Sequence, residues 1–539
     1  MTTAIFKNIK LLPALGLLTV AMASSCTKKF EDYNTNKHEA TEEMMATDNL
    51  KTGAFFTQMQ RNVVLFRDGV NLSSDYQVAQ GLTSDLYSGY IAPTGTWYGG
   101  MHNGSYAFIA GWIDKTFTSG FGSVMPGWYY MDMYAKEQGL NEVAALAKVV
   151  KVQGMHRVAD AYGPIPYLNF GARDVQNNYN ALQDVYKKFF EELDEAIDVL
   201  TLYAQGNPSA TLLAKYDYVY GGNVANWIKF ANTLRLRLAM RVVYADAALA
   251  KTQAEKSAAN PFGFIANANE RATIKRSNDL DYLHPLYEIA YTFNAGEVRM
   301  SASMDSYLNG FSDPRRAAYF TQANDGNYHG VRLGIVATNW TPYSGAGISN
   351  LNVNQNTTEV VWTTAAESYF LRAEGALRGW NMGGSAESFY TQGVATSFAE
   401  NNITASVSTY LADNTSTPIA FADNSGQSGN NAPAPSDVTI AWDNGDGFER
   451  ALEKIITQKW IAMYPDGPEG WAEFRRTGYP KLHPVVTNNS NGTINTATQI
   501  RRIPFPQSEY NTNRVNVQTG ISVLGGPDGG GTRLWWDKK

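Results

Sequence analysis

The chain has 539 residues, a formal net charge of −6 and 17% charged residues, so it lacks the basic balance that is typical of nucleic-acid-binding proteins. Its single cysteine, Cys26, excludes both a disulfide within the chain and a cysteine-rich metal cluster. Aromatic residues make up 12% of the chain, with 12 Trp and 31 Tyr. This composition is typical of a large aromatic core or of sites for flat, hydroxylated ligands.

The N-terminal residues have the layout of a bacterial signal peptide. Lys7 and Lys10 precede an apolar run, residues 11–23, and two serines then precede Cys26. The run is shorter than the about 20 residues that a membrane-spanning helix needs. We therefore predict a lipoprotein that is cleaved and acylated, for example with palmitate, at Cys26. The alternative is a signal peptide in which the cysteine is incidental, because Ala23 stands where the usual lipoprotein motif has leucine.

The predicted organisation has three parts, which are a signal peptide (residues 1–25), a polar lipid-anchored tether (residues 26–47) and a single domain (residues 48–539). Apolar residues at three- and four-residue spacing predict helices over residues 140–162, from Asn180 onward, from Asn223 to Val242, and over 363–379 and 385–400. Asn180, with Gln183 three residues later, is predicted to cap its helix.

The third predicted helix carries three arginines, Arg235, Arg237 and Arg241, between its apolar residues. They favour a helix whose arginine stems cover the edge of the core while the charged ends reach water or carboxylates. An anion site is the alternative interpretation.

The helices predict a mainly α fold in which tetratricopeptide-like hairpins support long irregular loops, with a few short strands. Between the helices the composition changes to Gly, Ser, Thr, Asn and aromatic residues, notably over residues 84–121, 291–343 and 404–447. Long loops of this kind on a helical scaffold are where binding is concentrated.

Several motifs, spread over most of the chain, together resemble the SusD/RagB family of outer-membrane nutrient-binding lipoproteins of Bacteroidetes. They are DAYGPIPY (160–167), NWIKFANTLRLRLAMR (226–241), AESYFLRAEGALRGW (366–380), QKWIAMYPDGPEGWAEFRRTGYP (458–480) and RRIPFPQSEYNTN (501–513). Their residues are also explained by packing, since Arg475 and Arg476 can bind carboxylates such as Glu469 or Glu473.

The resemblance implies four tetratricopeptide-like hairpins and a surface lipoprotein of the outer membrane that caps a SusC-type TonB-dependent transporter. Glu31 and Asp32, soon after Cys26, are similar to signals that direct such lipoproteins to the exterior face. The implied ligand is a polysaccharide or oligosaccharide, and no cofactor is implied.

Catalytic motifs are missing from the sequence, so we predict no catalytic residues and no enzyme. The chain has no Gly-x-Ser-x-Gly elbow, no His-Glu-x-x-His helix and no phosphate-binding loop. A glycosidase built on two carboxylates, such as Asp305 and Glu297, stays an alternative. Residues 443–449 are rich in oxygen ligands, but they lack the spacing of a calcium loop and are predicted to form a turn before a helix that begins near Phe448.

Two loop clusters combine aromatic faces for sugar rings with amide or guanidinium groups for hydroxyls. The candidate ligand-binding residues are Trp97, Tyr98 and Asn103 in the first loop, with Tyr87 and Tyr90 upstream, and Tyr291, Phe293, Asn294, Arg299, Trp340 and Tyr343 in the second. The alternative for each is packing on the scaffold or against the transporter. A peptide cargo, and a structural lid with little affinity of its own, are the competing functions.

Overall fold

The structure is a computed structural model that describes residues 49–95, 97–172, 177–335, 337 and 339–539. The predicted signal peptide, tether and Cys26 lie outside the described residues. The longer helices are α1 (Leu50–Gln60), α2 (Met125–Glu137), α3 (Asn141–Tyr162), α4 (Leu182–Gly206), α5 (Val224–Val242), α6 (Ala247–Ala258), α7 (Ala302–Gly310), α8 (Ala365–Leu377), α9 (Ala386–Glu400), α10 (Phe448–Ala462), α11 (Gly467–Thr477) and α12 (Arg514–Leu524).

Shorter helical segments and four short strands connect these helices. The strands are β1 (Ile91–Pro93), β2 (Ala272–Ile274), β3 (Val298–Met300) and β4 (Val360–Thr363). The short helical segments are Ser73–Tyr76, Gln77–Gly81, Ser84–Tyr87, Trp97–Gly100, Asn103–Ser105, Ala110–Trp112, Lys115–Ser119, Gly120–Val124, Ala214–Tyr216, Ala268–Glu270, Pro285–Tyr287, Glu288–Thr292, Phe293–Ala295, Arg316–Tyr319, Thr341–Ser344, Val407–Leu411, Ser428–Asn430 and Gln507–Thr512.

Neighbouring helices pack as hairpins, α3 on α4, α5 on α6 and α8 on α9, and the hairpins pack on each other through α4 with α5 and α8 with α10. A small residue allows the closest crossing: a Cβ at Gly393 on α9 would lie 2.7 Å from the ring of Phe370 on α8. This arrangement confirms the predicted fold class, a mainly helical scaffold of tetratricopeptide-like hairpins with few short strands.

The prediction that Asn180 caps α4 is wrong. The residue before α4 is Ala181, which makes no capping bond through its side chain. Asn180 Oδ1 instead accepts hydrogen bonds from the backbone N–H groups of Tyr167 and Leu168, at 2.9 and 2.8 Å. Asn180 therefore holds the turn that follows α3, which local capping statistics do not detect.

The arginines of α5 lie inside the scaffold and not at the predicted edge, but their charged ends do reach carboxylates, which confirms that part of the prediction. Arg237 is fully buried and its Nη2 lies 2.6 Å from Glu367 on α8, while Arg241 binds Glu469 on α11. A guanidinium group without such a partner would cost several kcal/mol at this depth. The carboxylates of neighbouring helices therefore neutralise the buried positive charges of α5, which is packed on all sides.

The two small sheets join segments that are distant in sequence. β1 pairs antiparallel with β3, with Ala92 opposite Arg299, and β2 pairs antiparallel with β4. No helix in the described part of the chain is both long and apolar enough to cross a bilayer.

Candidate functional site

The ribbon formed by β1 and β3 brings the two predicted loop clusters to one place. Beyond the paired strands, Thr94 N donates to Glu297 O at 2.9 Å, and Thr94 Oγ1 donates to Gly296 O at 3.3 Å. Because the strands are antiparallel, the chain that leaves β1 and the chain that enters β3 lie at the same end of the ribbon. The loop of Trp97 and the loop of Phe293 therefore start from adjacent points.

The loop after β1 presents a small aromatic cluster to solvent. Trp97 and Tyr98 each make an edge contact with Trp112, at centroid distances of 5.8 and 5.6 Å. Tyr98 is 67% exposed and has a left-handed backbone, with φ +51°. Asn103 is fully buried, where its Nδ2 donates to Leu82 O and its Oδ1 accepts from Ile109 N. Asn103 thus braces the loop that carries the rings.

The loop before β3 has the same unusual backbone. Asn294, Ala295 and Gly296 all have positive φ values, of +48°, +60° and +95°. At Gly296 a Cβ would lie 2.3 Å from Ala290 O, so only glycine fits. Such conformations cost about 1–3 kcal/mol for residues other than glycine and cluster at binding sites. Both loops at this end of the ribbon therefore store backbone strain.

Glu297, which sequence analysis named only in a possible carboxylate pair with Asp305, holds the second loop in place. Its buried carboxylate accepts hydrogen bonds from Asn294 Nδ2, at 2.5 Å, and from Gln77 Nε2. Burial raises the pKa of Glu297 above its ordinary value. The group ties the strained loop to the segment Gln77–Gly81.

A third segment, Thr341–Ser344, lies against the ribbon through Arg299. The buried guanidinium donates from Nη2 to Ser344 O at 2.6 Å and from Nη1 to Val298 O at 2.8 Å, and burial lowers its pKa. Tyr343, which packs with Ala92 of β1, donates its OH to Asp423 Oδ2 at 2.8 Å. These contacts fix the position of Trp340, whose ring lies 5.4 Å from that of Tyr343.

Tyr291 adds a further exposed ring beside the second loop. It is 37% exposed, and its ring stacks on that of Tyr287 with centroids 5.0 Å apart and 28° between the planes. Its OH donates to Leu351 O at 2.5 Å, so the ring is held at its edge while part of its surface stays open.

The candidate residues therefore have two kinds of position. Tyr98 and Tyr291 are exposed and Trp97, Phe293 and Trp340 are half-buried, whereas Asn103, Arg299 and Tyr343 are buried and position the loops. Tyr87 and Tyr90, from the first predicted cluster, belong to the hydrophobic core. Trp112 was missed, although it lies within the loop region that the composition indicated.

The carboxylates that could suggest catalysis serve the local structure. Asp305 accepts from Asn309 Nδ2 and Gly330 N, at 2.8 and 2.7 Å, and Glu297 holds its loop as described above. Among the described residues, no three His, Cys, Asp or Glu side chains are grouped so that they could hold a metal ion.

The oxygen-rich segment 443–447 is a turn before α10. Gly445 N donates to Asp443 Oδ1 at 2.7 Å, and Asp446 pairs with Lys454. The helix begins at Phe448, as predicted.

The fold is thus a helical-hairpin scaffold that presents strained, aromatic loops. A sequence profile described as "SusD-like: Susd and RagB outer membrane lipoprotein" matches residues 32–537, and the chain belongs to this family of nutrient-binding proteins. A comparison with curated proteins gave no match.

Solved structures of relatives agree with this assignment. A chitin-binding SusD homolog from Flavobacterium johnsoniae is 40% identical, with a TM-score of 0.85 over 90% of this chain and 99% of that chain. SusD homologs from Bacteroides uniformis and Bacteroides vulgatus are 34% and 36% identical, with TM-scores of 0.84 and 0.83; they cover 91% and 90% of this chain and 99% and 97% of their own.

Proposed function

We propose that the protein binds a glycan nutrient at the cell surface and delivers it to a SusC-type TonB-dependent transporter. The observation that carries this proposal is the convergence of three loop segments, with Trp97, Tyr98, Phe293 and Trp340, around the ribbon of β1 and β3. Rings held beside a short ribbon suit a flat ligand with apolar faces and polar edges.

The chemistry of the site favours a sugar ring in particular. The exposed ring of Tyr98 and the adjoining Trp97 offer aromatic surface for the C–H face of a sugar. The Asn294 side chain and the backbone of the strained loops provide polar groups for hydroxyls. Ligand pockets combine apolar walls with a few fixed polar groups in this way.

One relative supports a carbohydrate cargo. The Flavobacterium johnsoniae homolog, which is 40% identical, is described as chitin-binding. We therefore place neutral polysaccharides, including N-acetylated ones, first among the cargoes to test.

Two alanine variants test the site. Trp97→Ala and Trp340→Ala should each weaken the retention of the protein in affinity electrophoresis gels that contain a polysaccharide to which the wild type binds. Tyr130→Ala is the matched control, because this tyrosine is 41% exposed on α2 and packs on Phe55, away from the three loops. If neither tryptophan variant changes the retention of any such polysaccharide, the proposed site is wrong.

A peptide cargo is the second candidate, and isothermal titration with oligopeptides and oligosaccharides separates the two. If only the oligopeptides produce heat of binding, the cargo is a peptide and not a glycan. A third candidate, a structural lid, predicts that deletion of the gene abolishes uptake while the isolated protein binds neither class of ligand.

Anchoring at Cys26 and an outward orientation complete the proposal. One acyl chain gives only marginal membrane binding, so several chains and the contacts with the transporter would share the attachment. Cys26→Ser should abolish labelling by a palmitate analogue and release the protein from membranes. External protease should digest the wild-type protein on intact cells, and protection from it would contradict an exterior location.

A further inference from the structure

One buried arginine differs from all the others of its kind in the described part of the chain. Seven arginines there are fully buried, and six have a carboxylate within 4 Å. The exception is Arg475 of α11. Its Nη1 donates to the carbonyl oxygens of Asp160 and Arg501, at 2.6 and 2.9 Å, and its Nε donates to Trp471 O at 3.3 Å. Its Nη2 has no hydrogen-bond partner.

Among the described residues, the carboxylates that act on this guanidinium group, Asp160 and Asp537, already have other partners. The oxygens of Asp160 accept from Tyr186 OH and from Arg241 Nε, and Asp537 pairs with Arg501. Burial is the largest unfavourable influence on this charge; the carboxylates of Asp160 and Asp537 offset part of it, and the positive charges of Arg241 and Arg501 add to it. Burial lowers the pKa of Arg475 to about 9, so the group is still charged at neutral pH.

Arg475 lines a cavity of about 50 Å³ whose walls include apolar residues such as Val63 and Val158 and also Asp160, whose carboxylate oxygens are bonded to Tyr186 and Arg241. Since one water needs about 10–15 Å³ of such volume, the cavity has room for a small ion or a few waters. Among the described residues, Trp536 Nε1 also has no acceptor. Its ring centroid is 4.8 Å from the central guanidinium carbon of Arg475, but Trp536 does not line the cavity.

A neighbouring cavity shows how the two possible occupants differ. It has a volume of about 10 Å³ and is lined by Arg237 and Asp466. Its unsatisfied atoms are Arg237 Nη1, a donor, and Asp466 Oδ2, an acceptor, and a single water satisfies both. Around the larger cavity the unsatisfied atom of the lining side chains is a cationic donor, Arg475 Nη2, which needs an acceptor and a negative charge.

We propose that the cavity beside Arg475 is a buried halide site, which chloride occupies under physiological conditions. The ion accepts from Arg475 Nη2 and neutralises a buried charge that has no ion-pair partner among the described residues. Through the carbonyl bonds of Arg475, this site stabilises the junction between α3, α11 and the segment around Arg501.

Bromide crystallography on the wild-type protein is the direct test. Crystals grown or soaked in sodium bromide should show an anomalous peak within hydrogen-bonding distance of Arg475 Nη2. Electron density that lacks an anomalous signal there would assign the cavity to water and overturn the proposal, and anomalous peaks confined to the surface would do the same.

Unfolding experiments give the second test. At constant ionic strength, replacing gluconate with chloride should raise the denaturant midpoint, by the equivalent of about 1.4 kcal/mol for each tenfold rise in chloride above its Kd. Arg475→Gln should abolish this dependence. Arg276→Gln, which breaks a partly exposed pair with Asp281, should retain it. If Arg475→Gln does not fold, the wild-type midpoints decide, and equal midpoints in chloride and gluconate would refute the site.

Discussion

Removal of the Tyr98 ring should weaken glycan binding by about an order of magnitude. An aromatic side chain offers about 150–250 Å², and Tyr98 is 67% exposed, so about 130 Å² is open to a ligand. A sugar that lies on one face covers about half of this area, which at ~25 cal/mol per Å² is worth about 1.6 kcal/mol. Tyr98→Ala should therefore raise the Kd about 15-fold.

Titration calorimetry with an oligosaccharide that binds to the wild type measures this change, and Tyr130→Ala, which removes a ring that is 41% exposed, is the control. Alanine retains the Cβ, so the left-handed strain at residue 98 stays and the free energy of unfolding should change by less than about 0.5 kcal/mol. An unchanged Kd for Tyr98→Ala, with the control also unchanged, would show that the exposed ring does not contact the ligand.

Three further predictions concern the scaffold and its loops. Glu367→Ala leaves Arg237 buried without its closest carboxylate, so guanidinium denaturation should show a loss of about 3–5 kcal/mol, and a loss below 1 kcal/mol would contradict this account of the core. Burial raises the pKa of Glu400 from 4.5 to about 7. The stabilisation that comes from this shift is complete below pH 4.5 and is lost as the pH rises through 7. Glu400→Gln should remove this part of the pH dependence of the unfolding free energy. Gly296→Ala places a Cβ against Ala290 O, so thermal unfolding should show a loss of about 1–3 kcal/mol in the free energy of unfolding. Calorimetry should show weaker glycan binding. An unchanged melting temperature would mean that the loop is not strained.

The helices were predictable because their apolar periodicity is a local property. The structure has α3 at Asn141–Tyr162 and α9 at Ala386–Glu400, close to the predicted ranges of 140–162 and 385–400. Periodicity does not show how many neighbours a helix has, and for that reason the arginines of α5 were placed at the core edge. Asn180 was predicted to cap a helix because its actual partners, the backbone N–H groups of Tyr167 and Leu168, are more than ten residues away in sequence.

The candidate site was predictable only as a set of loops. Composition indicated the segments that carry Trp97, Tyr291 and Trp340, yet it did not show which residues are exposed. The pairing of β1 with β3 joins two three-residue strands from distant parts of the chain, and such short strands have no periodicity to detect. Trp112 is related to the site through its ring contacts with Trp97 and Tyr98, and Glu297 through that pairing.

The sequence by itself determined the family, the helical class and the loop segments, because motifs and apolar spacing are properties of neighbouring residues. It also predicts the lipid attachment at Cys26, which the labelling of Cys26→Ser with a palmitate analogue tests. Only the tertiary structure decided that the loops meet at one end of a ribbon, that Asn103, Arg299 and Tyr343 are buried, and that Arg475 lacks a carboxylate partner. These properties depend on contacts between segments that are far apart in the chain. Such contacts determine which side chains are buried and which hydrogen-bond partners they find.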